Sequence, residues 1–339
     1  MHRTLQATLF AVAGAALLCG CGGMKDRTYS VSEAEKKFVE FCKTEAELTV
    51  ITRRSGNTQW IFLPLTEPIF DIKASSSAGT AKRRTSPLYL LSLDTEFADD
   101  AFRITYDIVP DVLSPKPSNY GSAFTENYTR KRQLLYQGLQ QSFFNLEKDG
   151  GTPSDAPLFF VIVIADITKG VATKNTFLLK DFIAYSSDAI PFEEYYKREL
   201  ADVLGNQDLI GDRNGRSLDY AEVTWSGFLT EQIENRIRFA FVQSDFPPQK
   251  DPDQLIASIV ANTVKTYEFR DFTEAYLYNK RDKKEMLFTP EQLKTYEEKP
   301  LWEKEKGRMT VIRFEAPKDG QPSIRTLEDD EDTLYKGSK

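Results

Sequence analysis

The sequence predicts an α+β fold: a mainly antiparallel sheet of hairpins, about four to five helices packed on it, and a mobile acidic C-terminal tail. Three observations predict it. Strand-like and helix-like stretches alternate three times: strands 88–109 before a helix 125–148, strands 158–185 before a helix 191–204, and strands 221–242 before a helix 252–267. No residue-level repeat underlies this alternation. Leu158–Ile164 is an unbroken apolar, β-branched run, which a strand buried on both faces requires. Hydrophobic residues make up 40% of the chain, with 23 Phe and 15 Tyr, enough to bury a core.

The elements follow in order. Ser30 with Glu33 forms a capping box, and Val31, Ala34, Phe38, Phe41 and Cys42 recur at helical spacing, so 30–44 is a helix. Leu48–Arg53 and Gln59–Leu65 flank the turn signal Ser55-Gly56-Asn57, and Pro64 and Pro68 end that pairing or place it at an edge. Residues 74–87 form a polar loop with a basic tip, Lys82-Arg83-Arg84, which we read as solvated because three charges attract a membrane only weakly. Leu88–Phe97 and Phe102–Val109 form a second hairpin across 98–101. The segment 113–122, with two prolines and a glycine, is a candidate domain boundary.

Thr125–Lys148 is the longest helix, with Tyr128, Leu135, Leu139, Phe143 and Leu146 on its core face and a basic cluster, Arg130, Lys131 and Arg132, on a solvated one. Thr176–Tyr185 is expected to return beside the central strand. Pro191–Leu204 reads as a helix with Glu193 and Glu194 in its first turn and Gly205 as a stop. Ala221–Leu229 and Arg236–Val242 read as a third strand pair, since Ile237, Phe239 and Phe241 alternate with Arg236, Arg238 and Ala240. Asp251 caps a helix from Pro252 to Tyr267 with a regular apolar stripe, and Phe269–Tyr278 is a further strand. Beyond Asn279 the chain is polar and densely charged, with a short helix capped by Thr289 and Gln292 and a last strand at 309–314. From Pro317 on it lacks apolar periodicity and carries five consecutive acids, Glu328 to Asp332, as a disordered tail does. The organisation is therefore a leader 1–20, a tether 21–29, an N-terminal helix with hairpins 30–112, a core region 122–279, a charged extension 280–316 and the tail 317–339.

The amino end is an address label. Arg3 precedes an apolar run, Ala7–Leu18, that rises only about 18 Å as a helix, too short for the roughly 30 Å hydrocarbon core of a bilayer. A basic start, a short apolar run and small residues make the pattern of a secretory signal. Its end, Leu18-Cys19-Gly20-Cys21, resembles the lipobox of bacterial lipoproteins, with Cys19 at a place where Ala, Ser or Thr is commoner. The resemblance covers the leader alone. It implies that Cys21 is the lipidation site and the first mature residue, that it carries several acyl chains such as palmitate, and that the chain is held stably in membrane lipid of the cell envelope. Gly22, in place of Asp, points to the outer membrane, with the protein facing the periplasm. The tether from Cys21 to the first helix spans at most about 28 Å, so the body sits close to the bilayer.

Composition narrows the chemistry. The formal charge of −7, which becomes −8 without Arg3, argues against a general nucleic-acid partner. The one histidine, His2, lies in the leader. The mature chain therefore lacks Ser-His-Asp and Cys-His catalysis and histidine metal sites. With Cys21 lipidated, Cys42 is the remaining thiol and no internal disulfide can form; we read it as an apolar residue on a helix face. The chain holds no Gly-rich phosphate loop, no nucleophile elbow and no Ser-x-x-Lys motif. Residues 208–215 brush against a calcium loop, but aligning Gly215 with its glycine puts Ile210 at the first ligand and Ala221 where a Glu is needed, so this is a polar turn.

Carboxylate chemistry stays open, since glycoside cleavage needs only two acids about 5 to 9.5 Å apart. Candidates near strand ends are Asp94, Glu96, Asp107, Asp111, Asp166 and Glu222, each read first as a solvated or turn residue. We expect no cofactor, no metal and no catalytic residue. The reading is a non-catalytic structural, assembly or adaptor lipoprotein working through contacts with an envelope protein partner. The alternatives are a carboxylate-based glycan-acting enzyme and a solute-binding or sensor lipoprotein. A flat aromatic patch favours the first, a deep cleft with facing acids the second, and a closed apolar cavity the third.

Overall fold

A computed structural model describes residues 30–74, 88–111, 120–143, 156–243 and 251–298. The fold is α+β. Helix α1 (Val31–Thr44) begins at the expected capping box: Ser30 Oγ accepts the Glu33 N–H at 3.3 Å, and Glu33 Oε2 accepts the Ser30 N–H at 2.9 Å. Strands β1 (Ile51–Ser55) and β2 (Thr58–Leu65) form the first hairpin. Strands β3 (Phe70–Ala74) and β6 (Tyr120–Phe124) make a separate two-stranded antiparallel sheet, so residues 120–122 of the candidate boundary are strand. Between them, β4 (Leu88–Ala98) and β5 (Ala101–Asp111) pair across Asp99 and Asp100. Both turn residues have positive φ, 53° and 57°, the geometry whose twist matches a two-residue hairpin.

Helix α2 (Glu126–Phe143) leads to β7 (Phe159–Asp166), every residue of which is buried. Strand β8 (Val171–Leu178) returns beside it. The five-stranded sheet runs β1-β2-β7-β8-β9, with β7 in the middle as the apolar run requires. The pairing of β2 with β7 is parallel, Thr58 opposite Phe159 through Leu65 opposite Asp166. The pairing of β1 with β2 stops at Phe62, two residues before Pro64, which has no N–H to offer. On one face of β7, Phe160 stacks on Phe177 at 5.7 Å and meets Phe143 of α2, which in turn meets Phe38 of α1. On the other face, Val161, Val163 and Ala165 pack with Trp60, Phe62, Leu209 and the irregular segment bearing Leu218, Tyr220 and Val223.

Four expectations are corrected. The second strand ends at Leu178 and residues 179–185 enter helix α3 (Leu179–Ser186), in which Leu179 and Phe182, three residues apart, turn inward together. The helix expected over 191–204 is only α4 (Phe192–Arg198); 200–204 belong to β9 (Leu200–Gly205), which forms an edge of the sheet. The strand pair expected over 221–242 is helix α5 (Trp225–Arg238), capped by Thr224 and continued by a π-helical stretch to Gln243. Leu229, Ile233, Ile237 and Phe241 are buried at four-residue intervals, a helical stripe that outweighs the local alternation. The sheets are mainly antiparallel as expected, with two parallel pairings, β2 with β7 and β10 (Glu274–Asn279) with β5. Helix α6 (Pro252–Thr266) is capped by Asp251 as expected. Strand β11 (Lys284–Phe288), inside the charged extension, pairs with β10 to complete a second sheet, β11-β10-β5-β4, ahead of α7 (Pro290–Leu293). Helices α5 and α6 cover the inner face of that sheet around Phe102, Ile104, Tyr106 and Leu277. The described residues hold seven α-helices rather than four to five. The expected strand 309–314 and the tail lie outside the described residues, as do the leader and tether.

Candidate functional site

At the junction of α4 and β9, consecutive side chains serve different charge networks, as alternation along a strand allows. Arg198 donates from Nη1 to Asp181 at 2.7 Å and from Nε to Glu194 at 2.8 Å, and Arg236 reaches Glu194 at 3.4 Å. Burial pushes the Asp181 carboxyl up, and the Arg198 guanidinium opposes that shift. Glu199 belongs to the other network. Its carboxylate, 6% exposed, accepts from the Tyr136 hydroxyl, from Asn175 Nδ2 at 2.9 Å and from Arg132 Nη2 at 3.3 Å. The Arg132 guanidinium also lies over the Tyr136 ring, 4.9 Å from its centre. Burial first, then the neighbouring Glu199, holds the Tyr136 hydroxyl well above its ordinary value. Three donors thus share one carboxylate, which engages Glu199 as an anchor.

A cleft opens beside each network. One, of about 250 Å³, is walled by Leu158, Leu179 and Trp225 with Asp181, Arg198 and Tyr267 at its polar end. The other, of about 180 Å³, has Thr173, Asn175 and Glu199 among its lining and Phe124, Tyr196 and Val203 around it. Both are smaller than the roughly 300 to 1,000 Å³ of a pocket that engulfs a whole small molecule. Each can take a side chain or a single ring.

The rim of the smaller cleft is unusual. Phe124, Tyr196 and Val203 are 51%, 52% and 61% exposed, and Phe192, 58% exposed, lies with its ring 6.0 Å from that of Tyr196. These four are among nine large hydrophobic side chains exposed in the described residues, and they run from α4 across the cleft to β9 and β6. Phe124 is held flat by stacking on Tyr128 at 4.7 Å, whose hydroxyl is hydrogen-bonded to Thr173 at 3.0 Å. The band is therefore fixed from beneath by a polar network and apolar at its surface.

The carboxylates singled out from sequence fall elsewhere. Asp166 Oδ1 accepts the N–H groups of Thr168 and Lys169 at 2.9 and 3.2 Å, a turn role. Glu222 caps the β1–β2 turn through Asn57 N–H at 2.8 Å. Asp94, Glu96 and Asp107 lie on the β4–β5 hairpin. Its register sets Asp94 opposite Thr105 and Asp107 opposite Ser92, which makes the two aspartates diagonal neighbours on one sheet face, Asp94 exposed and Asp107 partly buried. Asp111 ends β5, its side chain outside the described part, as are Cys21 and Lys82-Arg83-Arg84. Cys42 is buried, and burial pushes its thiol up to about 12. The polar turn expected at 208–215 is tied by Asp212, which accepts from Asn214 and Ser217; among the described residues no group of three or more His, Cys, Asp or Glu could hold a metal ion. The basic cluster of α2 is only partly solvated: Lys131 pairs with Glu67 at 3.0 Å and Arg132 with Glu199.

Sequence reasoning missed Arg198, Glu199, Tyr196 and Val203 as a site because it placed all four in one helix. The signal that was present is the i,i+4 spacing of Glu194 and Arg198, a pair that the structure forms. No protein-family model, curated protein or solved structure matches the chain.

Proposed function

We propose that this protein is a non-catalytic lipoprotein, anchored to the cell envelope through acylated Cys21 and facing the periplasm from the outer membrane, that binds an envelope protein partner through the apolar band around Phe192, Tyr196, Val203 and Phe124. The observation that carries the reading is that band: four large apolar side chains gathered beside one cleft and exposed to water, a pattern that marks a contact surface. The engagement of Glu199 by three hydrogen-bond donors supports binding over proton transfer at this place. Among the described residues no helix is long and apolar enough to cross a membrane. The test has two arms. Cys21→Ser should abolish acyl labelling and release the protein from membranes. In detergent extracts the intact lipoprotein should migrate in a complex larger than itself, and a Tyr196→Ala/Val203→Lys variant should migrate alone with unchanged melting. Labelling that survives Cys21→Ser defeats the anchor, and a complex unaffected by the double variant defeats the band.

One observation favours a second reading, glycan cleavage. Asp94 and Asp107 are diagonal neighbours in the β4–β5 register, a spacing of about 7 to 8 Å that lies within the range for two such acids. Cleavage of purified peptidoglycan, lost in both Asp94→Asn and Asp107→Asn, would establish it in place of the first.

A further inference from the structure

We propose that the open edge of β9 receives an extended segment of the partner as an added strand, with a neutral amphipathic side chain entering the Phe124–Tyr196 cleft and a basic side chain on the opposite face. This rests on the reading that the apolar band is the contact surface, and it names the mode of contact there.

The backbone carries the first half of the argument. Among the described residues β9 pairs only with β8, with Thr173 opposite Val203 and Asn175 opposite Ala201. The N–H of Asn206 donates to the carbonyl of Gly170 at 2.8 Å, which fixes the phase of the ladder. In an antiparallel pair hydrogen-bonded residues alternate, so Leu200, Asp202 and Leu204 turn their N–H and C=O groups to β8, and Ala201, Val203 and Gly205 turn theirs outward. Those three residues are exposed, and a Cβ built on Gly205 meets nothing within 4 Å. A row of outward backbone donors and acceptors is a template for another strand. Strand addition takes its affinity from such groups and its specificity from pockets for alternate side chains.

The side chains carry the second half. Ala201 and Val203 share the face of Thr173 and Asn175, where the 180 Å³ cleft has an apolar rim and a floor that both donates and accepts hydrogen bonds. Of the charged residues that line it, Arg132 and Glu199 are paired with each other and Asp202 alternates to the opposite face of the strand, so a neutral side chain with a polar tip suits it. On the other face a groove of about 240 Å³ is lined by Asp202, Glu231, Glu234 and Arg238. Arg238 pairs with Glu234 at 2.7 Å, and Lys174 stands opposite Asp202 across the ladder. Three acids against two bases leave one negative charge, which one cation from the added strand balances.

The probe is a short capped peptide of alternating tyrosine and lysine, added to the full mature chain in detergent, with hydrogen exchange read at Ala201, Val203 and Gly205. The outward amides of Val203 and Gly205 should slow by about tenfold or more at saturation. The same peptide with glutamate for lysine should protect them far less. Val203→Pro deletes one outward donor without touching the β8 ladder, so it should abolish protection by the peptide while the amides of Asp202 and Leu204 stay protected. Should Val203→Pro fail to fold, Tyr196→Ala, altered only at an exposed ring, should weaken peptide binding about tenfold. No slowing at Val203 and Gly205, or equal slowing by the glutamate peptide, overturns strand addition. The reading of the band is judged separately, by whether the native complex depends on Tyr196 and Val203.

Discussion

Glu222 closes a turn 165 residues away from it: its Oε1 accepts the N–H of Asn57 at 2.8 Å. The contact sits so close over Gly56, where φ is +51°, that a Cβ there would run into the Glu222 carboxylate. The neighbouring residues bind the same hairpin, with Trp60 Nε1 donating to the Ala221 carbonyl at 3.0 Å and Val223 N–H to Thr58 Oγ1 at 2.8 Å. The segment before α5 thus clamps the first hairpin and covers one face of the central sheet. Gly56→Ala should cost about 1 to 2 kcal/mol from the left-handed backbone alone, and Glu222→Gln about 1 kcal/mol from the lost charged acceptor. Since the alanine already displaces Glu222, the double variant should cost less than the sum by about 0.5 kcal/mol. Urea melts of the four proteins measure this, and strict additivity would refute the clamp.

Val161 lies fully buried at the centre of β7, between Trp60 opposite it on β2 and Thr176 on β8. An aspartate there is an unpaired charge without access to water, costing several kcal/mol, roughly the stability of a domain. Val161→Asp should yield no soluble folded protein. A mutant with native melting behaviour contradicts the central position of β7.

Arg132 and Glu199 hold α2 to the start of β9. Removing the cation alone, as in Arg132→Met, strands a carboxylate that is 6% exposed. The cost should be about 2 kcal/mol, below that for a fully buried pair because Arg132 keeps contact with solvent. The Arg132→Met/Glu199→Gln double variant should recover part of it. Thermal denaturation of the three variants reads the effect, and a neutral Arg132→Met would show that the pair holds nothing together.

Asp212 gives the fold an acid-sensitive turn. Partial burial works against its ionisation, but hydrogen bonds from Ser217 and Asn214 outweigh that and draw its carboxyl from 3.8 down to about 2. A depressed folded-state value means that the stabilisation is complete above about pH 4 and is lost as pH falls toward about 2. Asp212→Asn should lower the melting temperature at pH 6 and bring the two melting curves together near pH 2. A constant offset down to that pH would mean that ionisation plays no part.

What the sequence discloses follows from how local each signal is. The α1 capping box, the Asp99-Asp100 turn and the run at β7 each sit within a few residues, and each was legible. The helix over Trp225–Arg238 was not, because Ile237, Phe239 and Phe241 satisfy strand alternation as well as a four-residue stripe, and only packing against β5 and α6 decides between them. Leu200 and Leu204 likewise fit a continued helix until their backbone finds β8. The parallel pairings of β2 with β7 and β5 with β10 join segments far apart in the chain, so no local pattern announces them. The candidate site lies on one of these misread stretches. Its residues come from β6, α2, α4, β8, β9 and α5 with its π-helical continuation, and their meeting depends on an edge strand that sequence took for a helix and a helix that it took for a strand pair.

The central claim is that the band around Tyr196 meets a partner in the envelope, and site-specific photo-crosslinking in living cells tests it most directly. A photoreactive residue placed at Tyr196 or Phe124 should give one discrete adduct, abolished by Val203→Lys. The same residue at Leu287, an apolar position of equal exposure on β11, should give none. An adduct of equal yield at Leu287, or none at Tyr196 and Phe124, would contradict the account.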